Sequence, residues 1–271
     1  MGGFSQDMAG MIDEAFRDRW IDAYPREGKS GGAFCASSGR TKTSFVLTNF
    51  DGSLSDVLTL AHELGHAFHN KNLYTHSPLN RGTPMPLAET ASTFNEIVFT
   101  KSMLERCSEG ERLQLLDQEL TDAVQVIVDI MSRYLFESEV VRRRAEGEMT
   151  PKELCQIMLD AQKKTYGDGL DPEYMHPYMW ACKSHYYSTG LNFYNFPYAF
   201  GMLFGRGVYA LYKQNGPAFE ETYKKLLSST GMATIYDVAK SVGIDLHDPA
   251  FWRASVESVM EDARIFESMV G

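Results

Sequence analysis

The amino-acid sequence predicts a mainly α-helical protein with a small β-sheet element near residues 33–50. Apolar residues recur at the three- and four-residue spacing of a helix face along most of the 271 residues. One segment, TSFVLTNF at residues 43–50, is instead rich in β-branched and aromatic residues and ends at the turn pair Asp51-Gly52. Neither an internal repeat nor a clear linker divides the chain, so residues 1–271 are expected to form a single domain.

The helices are expected to follow one another with few interruptions. The first spans Met8 to Trp20 and is ended by Tyr24-Pro25, after which comes a loop rich in Gly and Ser. The second spans Ser53 to Lys71, and Asp56 stands three residues after Ser53, which is typical of a capping box. Residues 174–200 are densely aromatic. Further helices are expected over residues 84–106, 111–144, 151–165, 199–212 and 251–271.

Composition and charge exclude some classes of protein. The chain has 26 basic and 36 acidic residues and a formal net charge of -10, which argues against sequence-independent binding of nucleic acid. No apolar stretch approaches the length of a membrane helix, and the N-terminus shows no signal-peptide pattern. Four scattered cysteines are typical of a reduced protein, so a cytoplasmic location is expected.

A weak phosphate-loop pattern ends at Gly28-Lys29-Ser30, with Ala23 in place of the first glycine. A phosphate loop needs an apolar strand before it and a helix N-terminus after it, where backbone N–H groups can meet the phosphate. Here a helix pattern precedes the segment and Gly31-Gly32 follows it. Nucleotide binding is therefore retained only as a minor alternative.

A stronger motif, His62-Glu63-Leu64-Gly65-His66, lies within the second helix pattern. Residues four apart share a helix face, so His62 and His66 can bind one metal ion. Glu63 is turned about 100° around the helix, which keeps it off the metal but near a metal-bound water. The motif alone does not establish a metal site, because this five-residue pattern also occurs by chance.

The third metal ligand decides the interpretation, because catalytic zinc sites use three protein ligands and one open position. Asn72 occupies the position where a third histidine would stand, and His69 lies too far along a straight helix to reach the same ion. His69 is expected either to support the ligands or to line the cleft, and the alternative is a surface histidine with no role in the site. A di-iron centre would need paired Glu-x-x-His motifs, and no matching pair occurs.

The next helix pattern supplies two acidic candidates. Glu89 and Glu96 are seven residues apart and share a face, and the intervening loop lets this helix return antiparallel to the first. Glu89 is the candidate ligand. Glu96 is the candidate to accept a hydrogen bond from a ligand histidine, which would fix its tautomer.

Three separated runs, RxGKxGGAF at 26–34, TNFDGSLSDVLTLAHELGHAFH at 48–69 and AETASTFNE at 88–96, resemble the oligoendopeptidase F family of zinc metallopeptidases, relatives of thimet oligopeptidase. The resemblance continues through residues 179–201. It implies a zincin-type helical catalytic domain with one Zn²⁺ per chain, and an oligopeptide substrate. It assigns His62, His66 and Glu89 as zinc ligands and Glu63 as the general base that activates the zinc-bound water.

The family's later substrate-binding His and Tyr residues, which also stabilise the oxyanion, match best at His185, Tyr194 and Tyr198, with the choice of tyrosine open. Gly31 and Gly32 would let backbone approach a peptide closely, and Phe34 is a further candidate to contact it. The 43–50 strand is expected to act as the edge to which an extended peptide adds.

Members of this family are usually about twice as long, and their N-terminal half forms the other wall of the substrate channel. The resemblance therefore predicts an open cleft, or one closed by a second copy of the chain. It predicts no nucleic-acid or membrane partner. The alternative is a catalytically incompetent fragment that binds zinc and peptide.

Overall fold

The computed structural model describes residues 1–271 and confirms the mainly α-helical class with one small sheet. The helices are α1 Gln6–Arg17, α2 Leu54–Leu73, α3 Met85–Ala88, α4 Thr90–Leu104, α5 Glu109–Val124, α6 Ile130–Arg144, α7 Pro151–Tyr166, α8 Phe196–Asn215, α9 Phe219–Ser229, α10 Ile235–Lys240 and α11 Pro249–Val270. The strands are β1 Ile21–Asp22, β2 Phe34–Ser38 and β3 Thr43–Leu47. None of the helices combines the length and the apolar character that crossing a bilayer requires.

The chain divides into two compact units. The first unit comprises Met1–Asp117 and Gly201–Gly271, and the second comprises Gln118–Phe200. The expectation of a single catalytic domain over residues 1–271 stays a prediction.

The sheet of the first unit has the order β1-β3-β2. Strand β3 pairs in parallel with β1 and antiparallel with β2, where Phe34 lies opposite Leu47. The expectation that the 43–50 strand forms the edge is therefore wrong: β3 is central and β2 is an edge. The composition of a segment indicates a strand, but the neighbours of that strand depend on distant parts of the chain.

Helix α2 begins with the predicted capping box. The Ser53 hydroxyl accepts from the Asp56 N–H at 3.2 Å, and the Asp56 carboxylate accepts from the Ser53 N–H at 3.1 Å. These bonds satisfy N–H groups that have no partner within the helix. The start of α2 thus follows directly from the local sequence.

Helices α2 and α4 pack tightly and run antiparallel. Asn95 donates to the Ala61 carbonyl, whereas Gly65 meets the backbone of Ala91 and Ser92. A Cβ on Gly65 would lie 2.6 Å from the Ala91 oxygen, so only glycine permits this spacing. The close approach carries α4 residues to the face of α2 that bears the two histidines.

Beneath these helices lies the apolar core of the first unit. The Phe94 and Tyr223 rings stack with centroids 4.3 Å apart, and Tyr223 also stacks on Phe68 at 6.3 Å. All three side chains are fully buried. They join α2, α4 and α9, so the position of the site helices depends on residues far apart in sequence.

Two of the expected helices differ from the structure in detail. The helix expected over 84–106 is broken at Glu89, and the helix expected over 111–144 contains a π-helical segment at Gln125–Asp129. Helices α9 and α10 were not expected at all. The residues that α9 buries, Phe219, Tyr223, Leu226 and Leu227, do recur at helical spacing.

The second unit is built on α6 and α7. Phe136 of α6 packs with Ile157, Met158 and Ala161 of α7 in a small apolar core. Helix α7 starts at a capping box formed by Thr150 and Glu153. The aromatic residues after α7 form short 3-10 turns at Pro172–Tyr174, Met179–Cys182 and Ser184–Tyr187.

Candidate metal centre

One turn of α2 carries the two imidazoles of the candidate centre. The His62 and His66 rings lie edge to face with centroids 4.8 Å apart. One ligand atom of each histidine and one carboxylate oxygen of Glu89 all lie within 4.8 Å of one another. Two imidazoles and a carboxylate at this spacing can hold one metal ion.

Glu89 reaches the histidines from the junction between α3 and α4. Its backbone (φ -85°, ψ 0°) lies in the sparsely populated region between helix and strand. The Ser92 hydroxyl bonds to the Glu89 carbonyl at 3.0 Å and to Glu89 Oε2 at 2.9 Å. These bonds stabilise the break and hold the carboxylate, whose Oε2 lies 3.1 Å from His62 Nε2 and 3.4 Å from His66 Nε2.

A glycine of α8 leaves space for the Glu89 side chain. A Cβ on Gly201 would lie 2.9 Å from Glu89 Cβ, which is closer than side-chain carbons approach. Sequence reasoning found neither Ser92 nor Gly201. The only available signal for Gly201 was a glycine inside a helix pattern, because Glu89, which it contacts, lies more than one hundred residues earlier in the chain.

Glu96 accepts a hydrogen bond from Nδ1 of His62. A carboxylate only accepts, so Nδ1 of His62 carries a proton and Nε2 faces Glu89. The structure thus brings Glu96 to the imidazole as the sequence predicted; its role in tuning a metal ligand stays a prediction.

Strong electrostatic coupling joins these groups. Burial opposes ionisation of Glu89, but hydrogen bonds from His62 and His66 outweigh it and lower the pKa of Glu89. Burial likewise opposes protonation of His62, yet Glu89 and Glu96 raise the pKa of His62 to about 10. The two carboxylates beside the imidazoles therefore favour the binding of positive charge at this site.

Glu63 lies next to the ligand cluster and is only 5% exposed. Its Oε2 atom is buried and accepts no hydrogen bond. Burial is the main cause that raises the pKa of Glu63, against the opposing pull of His62 and His66. A buried carboxylate oxygen with no protein partner fits a site that holds a metal ion and its water.

A pocket of about 340 Å³ opens over the cluster. Ala33, Phe34 and Cys35 of the β2 region line it together with His62, Glu63, His66, Asn70 and Glu89. Phe34 was expected here. Gly31 and Gly32 do not line the pocket, and the Gly32 carbonyl accepts from Asn49 at 2.9 Å.

Cys35 and Asn70 were not found from the sequence. Burial raises the pKa of the Cys35 thiol to about 12, so it stays protonated and is a poor metal ligand. Asn70 bonds to Ser44 of β3 at 3.2 Å. Asn70 stands one turn after His66, and this spacing was the only signal for its position.

His69 does not line the pocket. Its ring is 4% exposed and its Nε2 lies 2.9 Å from the Thr230 hydroxyl. Burial lowers the pKa of His69 to about 4, so the ring is neutral at pH 7. Its expected support of the ligands stays a prediction, while its observed contact joins α2 to the end of α9.

The three residues assigned near the end of the sequence resemblance lie together in the second unit. The Tyr194 and Tyr198 hydroxyls are 2.9 Å apart, and the His185 and Tyr194 ring centroids are 6.0 Å apart. Burial, Arg133 and Lys183 lower the pKa of His185. The structure therefore groups the predicted His and Tyr residues without distinguishing between the tyrosines.

Lys29 makes structural contacts that disfavour the nucleotide alternative. Its ammonium bonds to the Asp22 and Tyr24 carbonyls at 2.9 and 2.8 Å and to the Asp22 carboxylate at 3.1 Å. The side chain is 1% exposed. With its three donors used and no helix after it, Lys29 does not have the setting of a phosphate-loop lysine.

Comparison with known families shows which class of protein has this fold and this cluster. The model of the family described as "Peptidase family M3" matches residues 7–258. The chain therefore belongs to peptidase family M3.

Its relatives within that family include proteins named oligoendopeptidase F and oligopeptidase. The chain is 29% identical to chromosomal oligoendopeptidase F of Lactococcus lactis subsp. cremoris over 98% of its length, and 28% identical to oligopeptidase PepF of Bacillus subtilis over 90%. It spans 44% and 36% of those proteins, less than half of each.

Solved structures share the fold. A protein of Chlamydophila abortus assigned as a peptidase aligns over the whole chain with a TM-score of 0.88 at 23% identity. Oligoendopeptidase F of Enterococcus faecium aligns over 80% of the chain with a TM-score of 0.67 at 22% identity. The chain covers 45% and 39% of these two structures.

Proposed function

We propose that this chain is a zinc-dependent endopeptidase that hydrolyses peptide bonds in oligopeptides. The observation that carries the proposal is the cluster of His62, His66 and Glu89, whose ligand atoms lie within 4.8 Å, beside the buried carboxylate of Glu63. The family and the oligoendopeptidase relatives support the reaction class.

The donor set fits zinc. Two imidazole nitrogens and one carboxylate oxygen are the ligands of several catalytic zinc sites, in which a fourth position stays open for water. His62, His66 and Glu89 would hold one Zn²⁺ per chain, with Glu96 fixing the orientation of His62. When bound, the ion would lower the pKa of a water and polarise the carbonyl of the scissile bond.

Glu63 would act as the general base. Its buried carboxylate would accept a proton from the attacking water and pass it to the leaving amine. A raised pKa suits the first of these transfers, because a stronger base takes the proton of the water more readily.

Strand β2 would align the substrate. It lies at an edge of the sheet, and Ala33, Phe34 and Cys35 line the pocket. An extended peptide can add to such an edge through backbone hydrogen bonds, which hold a chain without selecting its side chains. This assigns to β2 the role that the sequence had suggested for β3.

His185, Tyr194 and Tyr198 would contact the substrate and stabilise the oxyanion. Their assignment comes from the sequence resemblance, and their grouping within the second unit supports it. A neutral imidazole and phenol hydroxyls can all donate hydrogen bonds to a developing negative charge.

The test combines metal analysis with peptide cleavage. The purified chain is expected to hold one zinc per chain and to cleave a peptide mixture, as read by mass spectrometry. Chelation should stop cleavage and added Zn²⁺ should restore it. One zinc per chain with no cleavage of any peptide would favour the incompetent zinc- and peptide-binding alternative.

A further inference from the structure

Asn195 lies between His185 and Arg133 in the second unit. Its Nδ2 is 2.7 Å from His185 Nε2, and its Oδ1 accepts from Arg133 Nη1 at 3.4 Å. Neither the resemblance nor the sequence motifs singled out this asparagine. Its contacts place one amide between an imidazole and a cation.

Arg133 is itself anchored at the π-helical segment. Its guanidinium forms an ion pair with Asp129, and both side chains are largely buried, 11% and 6% exposed. Asp129 also accepts from Gln125 at 2.7 Å and from the Tyr166 hydroxyl at 3.3 Å. Because these contacts fix Asp129, they fix the cation that faces Asn195.

The turn that carries Asn195 is also held in place. Phe193 adopts a positive φ of 52°, which is costly for a bulky residue. Its N–H donates to Glu137 of α6 at 2.8 Å, and its ring packs on Tyr134 with centroids 5.6 Å apart. Helix α6 therefore supports the backbone from which Asn195 points.

The direction of each hydrogen bond follows from the donor inventory. A guanidinium can only donate, so the amide oxygen of Asn195 must face Arg133. The amide NH₂ then faces His185 and donates to Nε2. A neutral imidazole has one acceptor nitrogen and one N–H, so the proton of His185 resides on Nδ1.

We propose that Asn195 is a positioning residue that holds His185 as the neutral Nδ1–H tautomer, with Arg133 and Asp129 fixing the orientation of the amide. This inference rests on the proposed function, in which His185 contacts the substrate. His185 then offers a hydrogen-bond donor at Nδ1 rather than a positive charge. Its lowered pKa is consistent with this neutral form.

The direct test is the tautomer of His185 in the full chain, measured by ¹⁵N NMR at pH 8, with the signal assigned by its loss in His185→Gln. We expect an unprotonated Nε2 and a protonated Nδ1 in the wild type. Asn195→Asp should move the proton to Nε2, since a carboxylate only accepts. Asn195→Leu should remove the preference of His185 for the Nδ1–H tautomer. Asn192 is exposed, so Asn192→Leu is the matched control and should leave the His185 signal unchanged. A wild-type proton on Nε2, or one tautomer in all variants, would overturn the proposal.

Peptide cleavage supplies a second readout. We expect kcat/KM to fall at least about tenfold in Asn195→Asp, and we expect the loss to appear in kcat. The reason is that His185 would no longer offer an N–H donor at Nδ1 to the transition state. An altered tautomer with unchanged kcat/KM would overturn the positioning role. Failure of the proposed function is separately visible as the absence of zinc-dependent cleavage in the wild type, a result that does not enter the NMR measurement.

Discussion

Glu96 of α4 accepts a hydrogen bond from Nδ1 of His62 of α2, thirty-four residues earlier in the chain. The same imidazole directs its other nitrogen, Nε2, to Glu89 at 3.1 Å. The contact with Glu96 thus sets the tautomer of a candidate ligand and links the two helices that carry the centre. The predictions below separate these chemical and structural contributions.

Glu63→Gln is expected to retain zinc and to lose about 100-fold or more in kcat/KM, because the amide keeps the shape of the side chain but cannot accept the proton. A quenched fluorescent peptide gives the rate, and metal analysis gives the zinc content. Glu148→Gln, whose side chain is 91% exposed, is the control. Full activity in Glu63→Gln would remove Glu63 from the mechanism.

Glu89→Ala is expected to abolish stoichiometric zinc binding, because two histidines alone leave an incomplete ligand set. Equilibrium dialysis against a zinc buffer checks this. Stoichiometric zinc in Glu89→Ala would show that the third ligand lies elsewhere.

Glu96→Gln is expected to weaken zinc binding by about 10- to 100-fold without abolishing it, because the amide can still accept from His62 but has lost the charge. Competition with a chelator of known affinity measures the change. Glu146→Gln, with a side chain 76% exposed, should bind zinc as the wild type does. An unchanged affinity in Glu96→Gln would mean that this carboxylate only joins the helices.

Gly201→Ala is expected to lower zinc affinity and to destabilise the fold by about 1–3 kcal/mol, the usual cost of overpacking. The added Cβ would lie 2.9 Å from Glu89 Cβ, so the backbone that carries Glu89 must shift and move the carboxylate relative to the histidines. The comparison is zinc titration beside urea unfolding of the metal-free protein. A loss of stability with unchanged zinc affinity would contradict the proposed effect on Glu89.

Gly65→Ala is expected to destabilise the fold by about 1–3 kcal/mol, the usual cost of overpacking. Its Cβ would meet backbone atoms of α4 at 2.6 Å, and a backbone cannot move aside as a side chain can. Gly10 of α1 offers a matched control, since nothing lies within 4 Å of its Cβ position. Gly10→Ala should instead stabilise by about 0.5–1 kcal/mol in urea unfolding. Equal changes in the free energy of unfolding for the two substitutions would show that α2 and α4 move apart to accept the Cβ at no measurable cost.

His69 is expected to make the stability of the fold sensitive to acid. Its pKa is lowered from 6.5 to about 4 in the folded state, so its contribution is complete above pH 6.5 and is lost as the pH falls towards 4. The loss reaches about 2 kcal/mol at pH 5. His62, whose pKa is raised, has the opposite dependence, so the measurement is the difference between wild type and His69→Gln in urea unfolding at pH 7.5 and 5. An equal change in both proteins would exclude His69 as the cause.

Local features of the fold were largely predictable. The capping box at Ser53 and Asp56 predicts the start of α2, and the four-residue spacing of His62 and His66 places both on one helix face. The break at Glu89 was not predictable, because hydrogen bonds from Ser92 hold it within a sequence that otherwise has helical periodicity. The expectation that β3 is an edge strand was also wrong, because β1 and β2 pair with its two sides. The loop between β1 and β2 separates these two partners in sequence, and no local pattern predicts their pairing.

The sequence by itself therefore determined the helical class, the motif on α2, and acidic partners in the helix that follows. Only the tertiary structure decided that Glu89 turns towards both imidazoles, that β2 borders the pocket, and that Asn195 joins His185 to Arg133. The physical reason is that helix periodicity and capping act within a few residues. The position of Glu89 depends instead on how closely α2, α4 and α8 approach, which the glycines at 65 and 201 permit but which no local pattern specifies.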